Sequence, residues 1–227
     1  MKKNFLLDAD ETVLDFVRTS RESLRRAMRE LGLPFSEEDY ALYKRINDGL
    51  WREYERGGIS KPVLMRERFA LYFSALGLQG DAEAANRVYF ENVCRTGYLL
   101  EGAEDFLHAL KGRGRVFLIT NGTAAAQYGR LDALGIRGLF DGIYVSDEVG
   151  YAKPDPRFFA AVLRGAGLKR EECVVIGDSL TSDIKGANNA GIPCIWYDVQ
   201  GRRAEGAVPD RTAHSYREIL DIIDKEP

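Results

Sequence analysis

Five short, largely apolar runs constrain the fold of this chain most: Phe5–Leu7, Arg115–Ile119, Gly142–Val145, Cys173–Ile176 and Pro193–Tyr197. They lack apolar–polar alternation, which marks strands covered on both faces, as in a parallel sheet. Segments of helical period lie between the runs, for example Ala103, Phe106, Leu107 and Leu110, or Phe158, Phe159, Val162 and Leu163. Strand and helix in alternation predict an α/β fold built on a doubly wound parallel sheet.

One stretch breaks the alternation. Residues 15–98 carry only helical periodicity, as in Tyr40, Tyr43, Asn47, Leu50 and Tyr54, with breaks at Leu33–Pro34, Gly57–Gly58 and Leu78–Gln79–Gly80. A chain of 227 residues is long enough for one large or two small domains. The expected division is a core of residues 1–14 and 99–227 with an all-helical cap inserted over 15–98. Entered and left beside the first strand, the cap is expected to form a lid over that strand's carboxyl end.

The first run ends in Asp8–Ala9–Asp10–Glu11–Thr12. Open α/β sheets bind ligands beyond the carboxyl ends of their strands, and strand alternation turns Asp8 and Asp10 to the same side. Carboxylates that close repel unless a proton or cation intervenes. The pair therefore suggests a bound divalent metal, a nucleophile beside an acid/base, or both; an acidic turn capping a helix is the plainer alternative. Three later segments favour chemistry. Leu118–Ile119–Thr120–Asn121–Gly122 runs a strand into a hydroxyl, an amide and a glycine, where Thr120 and the following N–H groups can bind an oxyanion. Gly150–Asp155 offers Lys153, a compact charge suited to phosphate oxygens, ahead of an N-cap at Asp155. Val174–Asp183 ends another strand in acid, at Asp178, with Ser179 and Asp183 close behind. Such oxygen ligands suit a hard cation such as Mg²⁺, with Asp8 and Asp178 offering the carboxylates.

Charge and composition exclude several classes. With a net charge of -3, the chain has no field to attract polymeric nucleic acid or an acidic membrane surface. The three cysteines, Cys94, Cys173 and Cys194, are odd in number and far apart, forming neither a metal-ligand cluster nor a disulfide framework, and reduced, buried thiols are expected. No segment approaches the roughly 18 uncharged residues of a membrane span, and the apolar stretch after Met1–Lys2–Lys3 stops at Asp8. A cytoplasmic location is the expectation.

In order and spacing, the four polar segments resemble the four motifs of the haloacid dehalogenase (HAD) superfamily. The helical insert after the first motif resembles the cap of the subclass that covers its active site with helices. Within that subclass Asp8–Leu14, Asn47–Tyr54 and Glu148–Pro154 are similar to the YjjG-type pyrimidine 5′-nucleotidases. The chain departs from the pattern at Leu100–Glu101–Gly102–Ala103, where such caps usually rejoin the core through a proline. The resemblance implies a Rossmann-like core and a Mg²⁺-dependent phosphomonoesterase acting on nucleoside monophosphates, pyrimidine ones foremost. It makes Asp8 the nucleophile that forms an aspartyl phosphate and Asp10 first the acid and then the base. Thr120, Asn121 and Lys153 would neutralise the phosphoryl oxygens. Asp8, Asp178 and the Asp10 carbonyl would hold Mg²⁺. Asp183 would orient Lys153 or a metal-bound water, and Ser179 would do either or cap its turn. In the cap, Phe16, Trp51 and Tyr54 are candidates to stack on a base, and Asn47 or Arg18 to read its polar edge. Two alternatives remain: another small-molecule phosphatase, for a sugar phosphate or phosphoglycolate, and a phosphorylated receiver-like signalling module.

Overall fold

The structure, a computed structural model, describes residues 3 to 225. Two compact units divide the chain, one running to Phe16 and resuming at Gly97, the other spanning Val17–Thr96. In chain order, β1 (Lys3–Leu7) is followed by four long helices, α1 (Phe16–Glu30), α2 (Glu37–Glu55), α3 (Lys61–Leu76) and α4 (Ala82–Arg95). Then come α5 (Ala103–Arg113), β2 (Gly114–Thr120), α6 (Ala124–Ala133), β3 (Gly142–Val145), α7 (Ser146–Val149) and α8 (Pro156–Ala166). The chain closes with β4 (Cys173–Gly177), α9 (Lys185–Ala190), β5 (Cys194–Tyr197), β6 (Arg211–Ala213) and α10 (Tyr216–Lys225).

The strands form one parallel sheet in the order β3-β2-β1-β4-β5-β6. Alternation sorts the apolar residues of β1 between its two faces. Phe5 and Leu7 join Val116, Leu118, Ile176 and Ile219 in one core, while Leu6 joins Phe117, Ile119, Phe158, Phe159 and Trp196 in the other. Double coverage is why these strands read as unbroken apolar runs. Five strands were expected, and β6 makes a sixth. Arg211–Thr212–Ala213 sits at the sheet edge with only Ala213 buried, so it carries no apolar run to find. Strand order reverses between β1 and β4, and in a doubly wound sheet the crevice opens at that reversal.

In the helical unit, Tyr43 lies at the centre of an aromatic core, its ring 5.3 Å from Phe69, 5.5 Å from Tyr72 and 5.3 Å from Tyr89. The helix ends follow from local chemistry. Ser36 and Asp39 cap α2 reciprocally, each side chain accepting from the other's backbone N–H. α3 carries Pro62 in its first turn and stops at Gly77, whose φ of 64° favours glycine. Phe16, the first residue of α1, belongs to the sheet-bearing unit.

Where the chain leaves that unit and returns to it, the two strands of backbone are joined. Leu14 and Leu99 form an antiparallel bridge, and the Asp15 N–H donates to the Tyr98 carbonyl at 2.9 Å. Among the described residues no helix is long and apolar enough to cross a membrane. None of the three cysteines is in a disulfide, and burial raises the thiols of Cys173 and Cys194 to about 11, which leaves them unreactive.

Candidate active site

The acidic residues expected from sequence lie where the sheet reverses its order. Asp8 follows β1 and Asp178 follows β4, and the Asp8 N–H still donates into the ladder, to the Ile176 carbonyl at 2.9 Å. Past Asp10 the chain turns sharply through Glu11, whose φ of 60° is unusual for a residue with a side chain. Tyr216 of α10 pins this loop by donating to the Thr12 carbonyl at 2.8 Å; its ring is stacked against Phe106 and Tyr197.

Lys153 is the charge at the centre. It is 1% exposed, and its three ammonium protons have three acceptors: Asp8 Oδ1 at 2.5 Å, Asp183 Oδ1 at 2.7 Å and the Ile119 carbonyl at 2.9 Å. Asn121 holds the lysine's backbone from both sides, accepting from the Lys153 N–H and donating to its carbonyl, each at 2.8 Å. The Asn121 side chain is therefore engaged with Lys153 itself. Asp183 reaches Lys153 from the wide helical turn Leu180–Ile184, and its Oδ2 accepts from the Ser179 N–H at 3.1 Å. Ser179 caps that turn, its Oγ accepting from the Ser182 N–H at 3.2 Å. Gly177 makes the approach possible, since a Cβ there would lie 2.4 Å from the Asp183 carboxyl.

Electrostatics follow from crowding these acids together. Burial, helped by the neighbouring Asp183 and opposed by Lys153, pushes the Asp8 carboxyl up to about 7. Burial works against the charge on Lys153, but Asp183 and Asp8 outweigh it and hold the lysine above its ordinary value. Asp178 is driven well above the usual carboxylate range by burial and then by Asp8 and Asp183. Asp8, Asp178 and Asp183 each present an oxygen within 4.8 Å of the others. Three carboxylates facing one ammonium leave an excess of negative charge that a divalent cation would balance, and the donor set is all oxygen, as a hard cation prefers. The residues present thus fit such an ion. Trp196 and Arg202 fix Asp178 by donating to its carbonyl at 2.9 and 3.2 Å.

Asp10 lies apart from this cluster of three. Its carboxylate is held by Arg130, with Nη1–Oδ1 at 2.5 Å and Nη2–Oδ2 at 3.2 Å, and by Gln127 Nε2 at 3.0 Å. Sequence reading missed both partners. Their one signal was position: two polar residues three apart in the alanine-rich helix that directly follows Thr120–Asn121–Gly122. Thr120 is buried, and its hydroxyl meets Gln127 at 2.8 Å.

The candidates for substrate recognition divide between the two units, Phe16 in the sheet-bearing one and Arg18, Asn47, Trp51 and Tyr54 in the helical one. Phe16 packs over the Arg130 guanidinium at 5.2 Å. In the helical unit, Trp51 and Tyr54 meet edge to face at 5.7 Å with Lys61 over both rings. Asn47 is buried with its Oδ1 lacking a partner, and Arg18 is exposed.

A doubly wound α/β enzyme with a buried acidic cluster at its reversal point is the class that fold and site define. The sequence profile of the haloacid dehalogenase-like hydrolases matches residues 2–191. The chain is 34% identical over 226 residues to the pyrimidine 5′-nucleotidase PynA of Streptococcus pneumoniae, covering 98% of this chain and 95% of that protein. It is 33% identical over 220 residues to the pyrimidine 5′-nucleotidase YjjG of Escherichia coli, covering 96% of each. The magnesium-bound crystal structure of the HAD-hydrolase YfnB from Bacillus subtilis matches with a TM-score of 0.92 at 29% identity over 98% of both chains. The chain belongs to the haloacid dehalogenase-like hydrolase family.

Proposed function

We propose that this protein is a Mg²⁺-dependent phosphatase that hydrolyses nucleoside monophosphates, pyrimidine 5′-nucleotides foremost, through a phosphorylated Asp8. The observation that carries the reading is the placement of Asp8, oriented by Lys153 at 2.5 Å at the end of the central strand, with Asp10 two residues beyond it. Likeness to two pyrimidine 5′-nucleotidases over nearly the whole chain supports the substrate class.

An Asp8 oxygen bonds to phosphorus as the ester P–O bond breaks, and Asp10 passes a proton to the departing oxygen. Water then attacks the acyl phosphate, Asp10 takes its proton, and inorganic phosphate leaves with the Asp8 carboxylate restored. Phosphoryl transfer asks of a protein mainly positioning and charge neutralisation. Lys153 provides the latter and keeps Asp8 aimed, Asp183 keeps Lys153 in place, and Thr120 donates to a phosphoryl oxygen. Asp8, Asp178 and the Asp10 carbonyl would hold Mg²⁺, which when bound balances the acids and the charge on the phosphate. Asp183, third in the carboxylate cluster, is engaged with Lys153 and would orient a metal-bound water at most. Base recognition is assigned to the helical unit, with Trp51 and Tyr54 for stacking and Asn47 or Arg18 for the polar edge; Phe16, over Arg130, is the remaining aromatic candidate.

Phosphate release from a panel of esters tests the reading. Pyrimidine monophosphates should be cleaved faster than purine ones, with sugar phosphates and phosphoglycolate slower still, and Trp51→Ala should narrow the pyrimidine preference. Fastest turnover of a sugar phosphate or phosphoglycolate would reassign the substrate, and a long-lived phosphoprotein without turnover would favour a signalling module.

A further inference from the structure

α6 presents Gln127 and Arg130 one turn apart, and both are fully covered, at 0% and 2% exposure. Arg130 grips Asp10 with two prongs while its Nε donates back to the Ala126 carbonyl at 3.2 Å, and the Phe16 ring covers the guanidinium. Gln127 Nε2 spans two acceptors, Asp10 Oδ2 at 3.0 Å and Thr120 Oγ1 at 2.8 Å. Those acceptors settle the orientation of the amide, because the reverse one would set its oxygen against a carboxylate. The Thr120 hydroxyl also accepts from the Gly122 N–H at 3.0 Å. A hydroxyl has two lone pairs and one proton, so with both lone pairs engaged the Thr120 proton is left to donate elsewhere. Gly122 is the residue that lets Gln127 in, since a Cβ at that position would lie 2.3 Å from Gln127 Nε2.

An ion pair kept only for stability would gain little over apolar packing once its desolvation is counted. This one is asymmetric: the arginine side chain is 2% exposed, and the Asp10 side chain, at the end of the central strand, is 30% exposed. We propose that Gln127 and Arg130 are positioning residues that hold the Asp10 carboxyl and the Thr120 hydroxyl as one preset unit. The donor to the departing ester oxygen and the donor to a phosphoryl oxygen thereby keep a fixed spacing. The inference rests on the phosphatase reading above and adds the parts that orient its acid.

The leaving group provides the test. A nucleoside alkoxide needs a proton to depart, whereas p-nitrophenolate leaves without one. Single-turnover cleavage of a pyrimidine monophosphate and of p-nitrophenyl phosphate is measured for Arg130→Lys, which keeps the charge and loses the fork, and for Gln127→Met, which keeps the length and loses the donors. Asp10→Asn serves as reference, and melting temperatures are taken alongside. Each α6 variant should slow the nucleotide by about 10- to 100-fold, the scale of an ångström's misplacement, and slow the aryl ester several-fold less, shifting the ratio in the same direction as Asp10→Asn. If Asp10→Asn shifts the ratio while the α6 variants slow both esters equally, the pair is structural and the inference fails alone. If Asp10→Asn leaves the ratio unchanged, Asp10 is not the acid, and the mechanism falls together with the inference. Should Arg130→Lys not fold, Gln127→Met, which leaves the ion pair intact, decides.

Discussion

Replacing Gly177 with alanine adds one methyl group at the point where β4 meets the acidic cluster. The backbone there is not left-handed, so the substitution acts through space alone. The new Cβ would stand 2.4 Å from both Cγ and Oδ2 of Asp183. To reach ordinary contact the carboxyl must retreat by about 1 Å, which stretches its 2.7 Å bond to Lys153 and its 3.1 Å bond from the Ser179 N–H beyond hydrogen-bonding length. Charge-assisted hydrogen bonds contribute about 1.5–3 kcal/mol each, so the loss of two should be about 3–6 kcal/mol, the scale of breaking a buried ion pair. Denaturant unfolding measures it. In an Asp183→Ala background, where the carboxyl is gone, the same methyl should cost at least about 1 kcal/mol less, a non-additivity expected of residues in contact. An unchanged unfolding midpoint for Gly177→Ala, or strictly additive costs, would refute the idea that this glycine exists to admit Asp183.

Asp8→Asn should abolish turnover and leave no acid-stable phosphoprotein, while Asp10→Asn should lose about 10²- to 10⁴-fold in turnover and still label on Asp8; equal residual turnover in the two variants would sink the assignment. Asp8 keeps its proton to about 7 in the folded protein, against 3.8 for an ordinary aspartate, so without metal its contribution to stability is complete below about pH 4 and is lost as pH rises through about 7. Mg²⁺ competes with that proton, and the rise in melting temperature on adding it should be larger at pH 8 than at pH 6; equal shifts would count against binding at Asp8. Ser36→Ala removes one half of the cap on α2 and should destabilise the protein by about 1 kcal/mol in denaturant titration without changing the pH profile of activity.

Much of this was legible in the sequence because buried parallel strands are apolar throughout and their ends are abrupt. Phe5–Leu7 giving way to Asp8, and Val174–Ile176 giving way to Gly177–Asp178, announce both a strand and a place where polar groups collect. Edge strand β6 was not legible, since two of its three residues face outward and need no apolar character. Nor was the hold on Asp10: Arg130 is 120 positions away, and only the docking of α6 on the sheet brings them together. The side-chain contacts of Asn121 were hidden for the same reason. Thr–Asn–Gly looks alike whether the amide faces a ligand or the backbone of Lys153, which lies 32 residues on.

The bridge between Leu14 and Leu99 has a consequence for how such a chain can change. Because departure and return are stitched side by side, the long helical excursion leaves the sheet with nothing more to close than a tight loop. Closure entropy grows only slowly with loop length, so the excursion can lengthen, shorten or be rewritten at little thermodynamic cost to the strands that carry Asp8 and Asp178. The doorway at Asp15 and Tyr98 is thus a natural seam, along which a lineage can trade one set of helices for another while its clustered acids stay in register.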